Sequence, residues 1–180
     1  LPSKYKAAIY DQPGKISTKL VDLDMPEPAA GDVLIKLYAN TIMVLPLNKL
    51  NYQKRTNTIP RTHSGVCHSD LGIMLNGWAQ LPFPTEVGQV GGHEGVGVIV
   101  KMGPGTENSD VKVGDRVGIK WLADVCGSCP PCLAGYDAAC FKQKVSGYYW
   151  PGTFQQYVTS SATYVTPIPE GLPSDAAAPM

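Results

Sequence analysis

The chain lacks surplus charge of either sign, a long apolar run, an internal repeat and a low-complexity tract. Fifteen Lys and Arg balance fifteen Asp and Glu for a formal charge of zero, which argues against a nucleic-acid partner. No apolar stretch approaches the length of a membrane span. Leu1-Pro2-Ser3-Lys4-Tyr5-Lys6 shows neither a signal-peptide core nor an Arg-rich presequence, and no initiating methionine. Ser174 to Met180 reads as the capped start of a helix cut short, so a fragment open at both ends is expected. What remains is a chain of 180 residues, 43% hydrophobic, long enough to bury a sizeable core. Nineteen glycines and sixteen prolines, set among short runs of valine, isoleucine and tyrosine, point to many turns and a β-rich fold.

Four of the five cysteines fall within fifteen residues, Cys126, Cys129, Cys132 and Cys140. Two C-x-x-C steps and a seven-residue gap bring four thiolates within reach of one another, the set that a closed, structural zinc site requires. Gly127, Ser128, Pro130 and Pro131 favour a tight path whose amides can point at sulfur. The alternative is a pair of disulfides. Nothing else suggests an extracellular protein, and a chain this long needs no staples.

Lys6–Tyr10 and Lys15–Val21 read as two strands around Asp11-Gln12-Pro13-Gly14. Asp32–Leu37 is a third, with Val33, Ile35 and Leu37 on one face. Residues 96–101, 113–119, 154–159 and 163–168 supply further strands or turn-strand units, joined by glycine turns, and their spacing suggests a small barrel. Gly65 to Leu71 resembles a strand end entering a helix, with Ser69 and Asp70 able to cap it. Cys67 would then lie beside unpaired amides, which lower a thiol pKa and suit metal ligation.

Tyr38 to Arg61 does not read like its surroundings. It carries four basic residues, no acidic one and no sustained periodicity. Without these twenty-four residues Leu37 meets Thr62, and the text becomes the uninterrupted V-L-I-K-L-T-H-S-G-V-C-H-S-D. Two readings stand: a surface insertion, or a retained intron translated in frame. Leu37-Tyr38-Ala39, Thr56-Asn57-Thr58 and Arg61 permit donor, branch-point and acceptor codons respectively.

A second constellation pairs Cys67 with His93, in Gly92-His93-Glu94-Gly95. Taken alone, a buried cysteine is more often inert and a histidine more often an ordinary polar residue. Together with Gly65-Val66-Cys67-His68-Ser69-Asp70, Gly114-Asp115-Arg116-Val117 and the four-cysteine lobe, in this order, they carry a specific resemblance. Over residues 5–37 and 62–180 the chain resembles the N-terminal catalytic domain of zinc-dependent medium-chain alcohol dehydrogenases, closest to the yeast and fungal type.

The resemblance implies a mainly β (α+β) GroES-like barrel with short helices, spanning 1–180 in part, with its zinc lobe at 121–145. It implies two zinc ions: a structural one on Cys126, Cys129, Cys132 and Cys140, and a catalytic one on Cys67, His93 and a cysteine past Met180. NAD would be held by a Rossmann domain that this chain does not contain, so its fingerprint is not to be sought among the glycines at 88–97. Ser69 matches a proton-accepting hydroxyl and Asp70 a carboxylate that fixes the ligand histidine, although helix capping suits both. Glu94 matches an acidic residue beside the metal. His68 matches a residue near the cofactor pyrophosphate or is a solvated turn histidine. Trp78 and Trp121 match walls of a narrow substrate pocket or are core tryptophans. Leu75 occupies the place where the family often has a relay histidine, so the relay is expected to end at solvent.

The implied activity is oxidation of primary or secondary alcohols to aldehydes or ketones by hydride transfer to NAD, with the fragment itself inactive. A homo-oligomer in the cytoplasm is expected of the complete enzyme, with no membrane or nucleic-acid partner. A mitochondrial form remains open because a removed presequence would leave no trace. The alternatives are a non-enzymatic zinc-stabilised β module and a polyol dehydrogenase of the same superfamily.

Overall fold

A computed structural model describes residues 1–37, 63–79 and 81–179. The expected insert at 38–61 lies outside them. In chain order the elements are β1 (Lys4–Tyr10), β2 (Thr18–Asp24), β3 (Asp32–Lys36), β4 (His63–Ser64), α1 (His68–Met74), β5 (Gly95–Met102) and β6 (Arg116–Ile119). They continue with β7 (Leu122–Asp124), α2 (Pro130–Leu133), a 3-10 turn (Asp137–Ala139), β8 (Lys144–Val145), β9 (Tyr157–Ser161), β10 (Thr166–Pro167) and α3 (Ser174–Ala177). The chain is therefore mainly β with short helices, as expected. Among the described residues no helix is long and apolar enough to cross a membrane.

The main sheet runs β10-β6-β5-β3-β9, with β4 also on β5. Alternation along β3 places Val33, Ile35 and Leu37 in one cluster with Ile99, Val117, Ile119 and Val158. Leu34, from the opposite face, joins Tyr5, Ala7, Val90 and Tyr157 beneath the β1–β2 hairpin. Val33, Leu34 and Ile35 are all fully buried, so β3 is apolar on both faces where hairpin and sheet close around it. Each such side chain contributes roughly 1.5–3 kcal/mol of burial.

Three expected strands are displaced, for local reasons. β2 begins at Thr18 rather than Lys15 because the Lys15 amide turns back to the Gln12 carbonyl (3.0 Å). β9 begins at Tyr157 because Gly152, Thr153 and Phe154 already donate their amides to Val90, Gly92 and Gly91. β10 shrinks to Thr166–Pro167 because Tyr164 and Val165 both turn back onto the Ser161 carbonyl. The N-cap position of α1 is Cys67, and of the two residues expected to cap the helix Asp70 does so through a capping box. Asp70 lies one turn inside the helix and reaches back, Oδ2 accepting the Cys67 amide at 2.8 Å.

β3 and β4 lie end to end along the same edge of β5. Lys36 pairs with Val98, and His63 with Val96. One residue of β5, Gly97, separates these partners. A Cβ there would come within 2.4 Å of Ile35 Cγ2 and 2.7 Å of the Lys36 carbonyl oxygen, so only glycine fits.

Candidate functional site

The cysteine lobe stands on a two-stranded stem, β7 paired with β8, with an ion pair from Lys144 Nζ to Asp124 Oδ2 at 3.0 Å. From there the chain leaves at residue 125 and returns by 143. Prolines at the first positions of α2 suit a helix start, and that helix places Cys132 one turn past its N-cap Cys129. The 3-10 turn then delivers Cys140, the most buried of the four.

Neighbouring sulfurs lie 3.4 Å (Cys129–Cys132), 3.9 Å (Cys129–Cys140) and 3.6 Å (Cys126–Cys140) apart. These separations are too long for disulfide bonds, and all five cysteines are free. They match the edge of about 3.8 Å that a tetrahedron of 2.3 Å zinc–sulfur bonds would have. The amides of Cys126 and Lys142 both point at Cys140 Sγ, each at 3.3 Å. The Ser128 and Cys129 amides hold the Cys126 thiol down to about 6. Partial burial and the adjacent Cys129 and Cys140 thiols push Cys132 up to about 12. Thiolates crowded so closely repel one another, and a divalent cation shared by all four relieves that repulsion. The donor set thus fits zinc.

The second cluster is formed by two separate stretches. Cys67 starts α1, and His93 leads into β5. The ligand atoms of Cys67, His93 and Glu94 all lie within 4.8 Å of one another. His93 is 6% exposed and Asp70 2%, and Asp70 Oδ1 stands 3.0 Å from His93 Nδ1. Their approach is oblique, and neither atom has any other hydrogen-bond partner. This leaves Nε2 toward the cluster, 3.2 Å from Ser69 Oγ and 3.9 Å from Glu94 Oε1. The hydroxyl and amide of Ser69 point at the Cys67 thiol and hold it below its ordinary value. Burial opposes a charged His93, yet contact with the Asp70 carboxylate, helped by Cys67 and Glu94, keeps its pKa above the usual histidine value. One thiol, one imidazole and one carboxylate thus converge in a form that fits a zinc ion with borderline-soft preferences.

A sequence model of the alcohol dehydrogenase GroES-like domain matches residues 54–170. The chain belongs to this family. Alcohol dehydrogenase 2 of Emericella nidulans is 58% identical over 180 residues, covering all of this chain and 42% of the relative. An alcohol dehydrogenase of Schizosaccharomyces pombe is 34% identical over 181 residues, covering all of this chain and 43% of that protein. Among solved structures, an NAD-dependent alcohol dehydrogenase superposes with a TM-score of 0.74 at 25% identity, over 97% of this chain and 43% of that one. Acetophenone reductase from Geotrichum candidum, in complex with NAD, gives 0.71 at 26% identity, over 97% of this chain and 42% of that one. The chain therefore spans less than half the length of the relatives it matches.

Within this GroES-like domain the tryptophans and the histidine cluster are neighbours. Trp121, at the root of the lobe, meets the His93 ring edge to face at 5.1 Å between centroids, and Trp78 packs 6.1 Å from Trp121. Trp78 also lies over Gly72 of α1, where a Cβ would come within 2.8 Å of its indole nitrogen. His68 is exposed, and Leu75 caps the end of α1. Sequence reasoning missed the support behind His93. A Cβ on Gly152 would lie 2.1 Å from the Gly92 carbonyl oxygen, and one on Gly147 would lie 2.6 Å from it. Glycine pairs of this kind carry no pattern along the chain, because the positions meet only in the fold. Tyr10, fully buried behind the same turn, was legible only as a strand residue.

Proposed function

We propose that this chain is the partial catalytic domain, over 1–180, of a zinc- and NAD-dependent alcohol dehydrogenase that oxidises primary or secondary alcohols to aldehydes or ketones. The observation that carries this reading is the convergence of Cys67, His93 and Glu94 donors within 4.8 Å, beside a separate four-thiol cluster, in a member of this family. Cys67 and His93 would hold the catalytic zinc and the four lobe cysteines the structural one. A metal at the first site supplies positive charge that polarises an alcohol oxygen and eases loss of its proton. Ser69, with its hydroxyl beside both ligands, is positioned to accept that proton. Asp70 orients His93 and Glu94 adds negative charge next to it, while Trp78 and Trp121 form an apolar wall against which a small alcohol would lie. His68, exposed beside Cys67, would meet a cofactor phosphate, as the resemblance implies. NAD itself would be bound mainly by a domain outside this chain. Homo-oligomerisation and a cytoplasmic location belong to the same reading of the complete enzyme.

Reading the coding sequence past Met180 tests it. A cysteine within a few residues and a Gly-x-Gly-x-x-Gly after a strand are expected. The 180-residue chain should produce no NADH from NAD and ethanol, and the product of the extended frame should. If neither motif is encoded, the enzyme reading fails. The second reading, a zinc-stabilised β module without catalysis, is favoured by one observation: the lobe draws all four thiols from within this chain.

The domain boundary carries a further proposal, that residues 38–61 interrupt a single strand. The end-to-end pairing of β3 and β4 on β5 supports it. Genomic and transcript reads across 37–62 distinguish a retained intron from an encoded insertion.

A further inference from the structure

The elements carrying the metal-ligand candidates, α1 for Cys67 and the 91–93 turn for His93, meet on two sides. On the side of the ligands they are linked by Asp70. On the opposite side they are linked by Tyr10, the last residue of β1. Tyr10 has no exposed surface and packs against Ile73 of α1, Val145 of β8 and Tyr148. Its hydroxyl donates to the Asp70 backbone carbonyl at 3.4 Å and lies against the backbone of the turn that precedes His93. Gly91 makes room for it, since a Cβ there would lie 2.2 Å from the hydroxyl oxygen.

A single oxygen therefore bonds the backbone of Asp70, three residues after Cys67, and stands against that of Gly91, two residues before His93. The ring is held by apolar neighbours on α1, on β8 and in the turn after β8, so the oxygen has little freedom to follow either partner if the other moves. We propose that Tyr10 is a positioning residue whose hydroxyl fixes the spacing between Cys67 and His93. It acts through backbone that it holds, not by contact with a reacting group. This inference rests on the metal-site reading above.

The test uses the product of the reading frame extended past Met180, loaded with cadmium-113, whose chemical shift separates a four-thiolate site from a mixed thiolate–imidazole site. The unmodified chain should give both signals. Tyr10→Phe keeps the ring and removes only the oxygen. It should leave the lobe signal in place, shift or broaden the mixed-site signal, and weaken that site roughly tenfold in competition with a chelator. A control is Thr85→Val, which removes another buried hydroxyl bonded to α1, at the Ile73 carbonyl (2.7 Å). It should lower the unfolding midpoint without moving the mixed-site signal. An unmodified chain showing only the lobe signal would overturn the metal-site reading itself. Two signals unchanged by Tyr10→Phe would overturn the role of Tyr10 alone. So would equal weakening by Thr85→Val, or loss of the lobe signal in Tyr10→Phe, because the hydroxyl would then support the fold and not the site.

Discussion

Asp70 serves both ligand candidates at once: one oxygen accepts the Cys67 amide and the other faces His93 Nδ1. Substitution Asp70→Asn keeps an oxygen for the amide but removes the charge that orients the imidazole. Affinity for zinc at this cluster should fall about 10- to 100-fold, with the lobe unaffected. Chelator competition on the intact chain measures it. Asp32 shows the opposite electrostatic situation. Burial, aided by the Asp124 charge and opposed by Lys144, holds its carboxyl above the ordinary value. The folded chain then binds the proton more tightly than the unfolded chain. Stability is thus highest below the unfolded value and declines as pH rises through the folded one. Asp32→Asn should remove this decline and stabilise the chain at pH 7 by at most about 0.5 kcal/mol, since partial exposure screens the charge. Urea unfolding at pH 4, 5.5 and 7 should show the gain growing with pH. A constant difference would mean that Asp32 is not titrating across that range.

The elements differ in how plainly the sequence announces them. The four lobe cysteines are local, so their spacing alone identified the cluster. Val33, Ile35 and Leu37 alternate, so one face of β3 was equally plain. Cys67 and His93 lie 26 residues apart and were paired through the resemblance, not by spacing. Tyr10 was hidden because its partners come from α1, β8 and the 91–92 turn. The start of β9 was misplaced because Phe154 looks like a strand residue but lies in a bend, its amide donating to the Gly91 carbonyl and its carbonyl accepting the Ala8 amide, away from the main sheet. The lobe can be tested as an element. Cys140→Ser removes the thiol that accepts two amides, and should cost one bound zinc per chain. Such sites contribute about 10–16 kcal/mol of apparent binding free energy in peptides. Residues 125–143 should then become readily cleaved by protease, while the β3–β5–β9 core stays resistant. Unchanged zinc content would exclude the four-thiol site.

At the scale of the whole molecule the question is what residues 38–61 cost it. On β5 the partners of Lys36 and His63 are two residues apart, a separation of about 7 Å along the strand. Joining Leu37 directly to Thr62 would put three peptide links across that span, which reach about 10 Å when extended. The junction has slack for one residue, so Leu37 and Thr62 would oppose Gly97 together as a one-residue bulge. The shortened chain should therefore fold with the same strands and gain stability, because closing a loop of this length costs about 3 kcal/mol. Its urea midpoint should rise. The register also matters for the site, since Cys67 follows His63 by only four residues. Ser64 Oγ lies 2.8 Å from Thr153 Oγ1 and donates to the Glu94 carbonyl at 3.2 Å. A slip of one residue would turn that hydroxyl to the other face and displace Cys67 with it. Metal affinity at Cys67 and His93 consequently reports the register: unchanged affinity in the deletion variant is the expected result. A lower urea midpoint, or loss of metal at that cluster with the lobe still loaded, would show that the segment belongs to the fold and does not interrupt it.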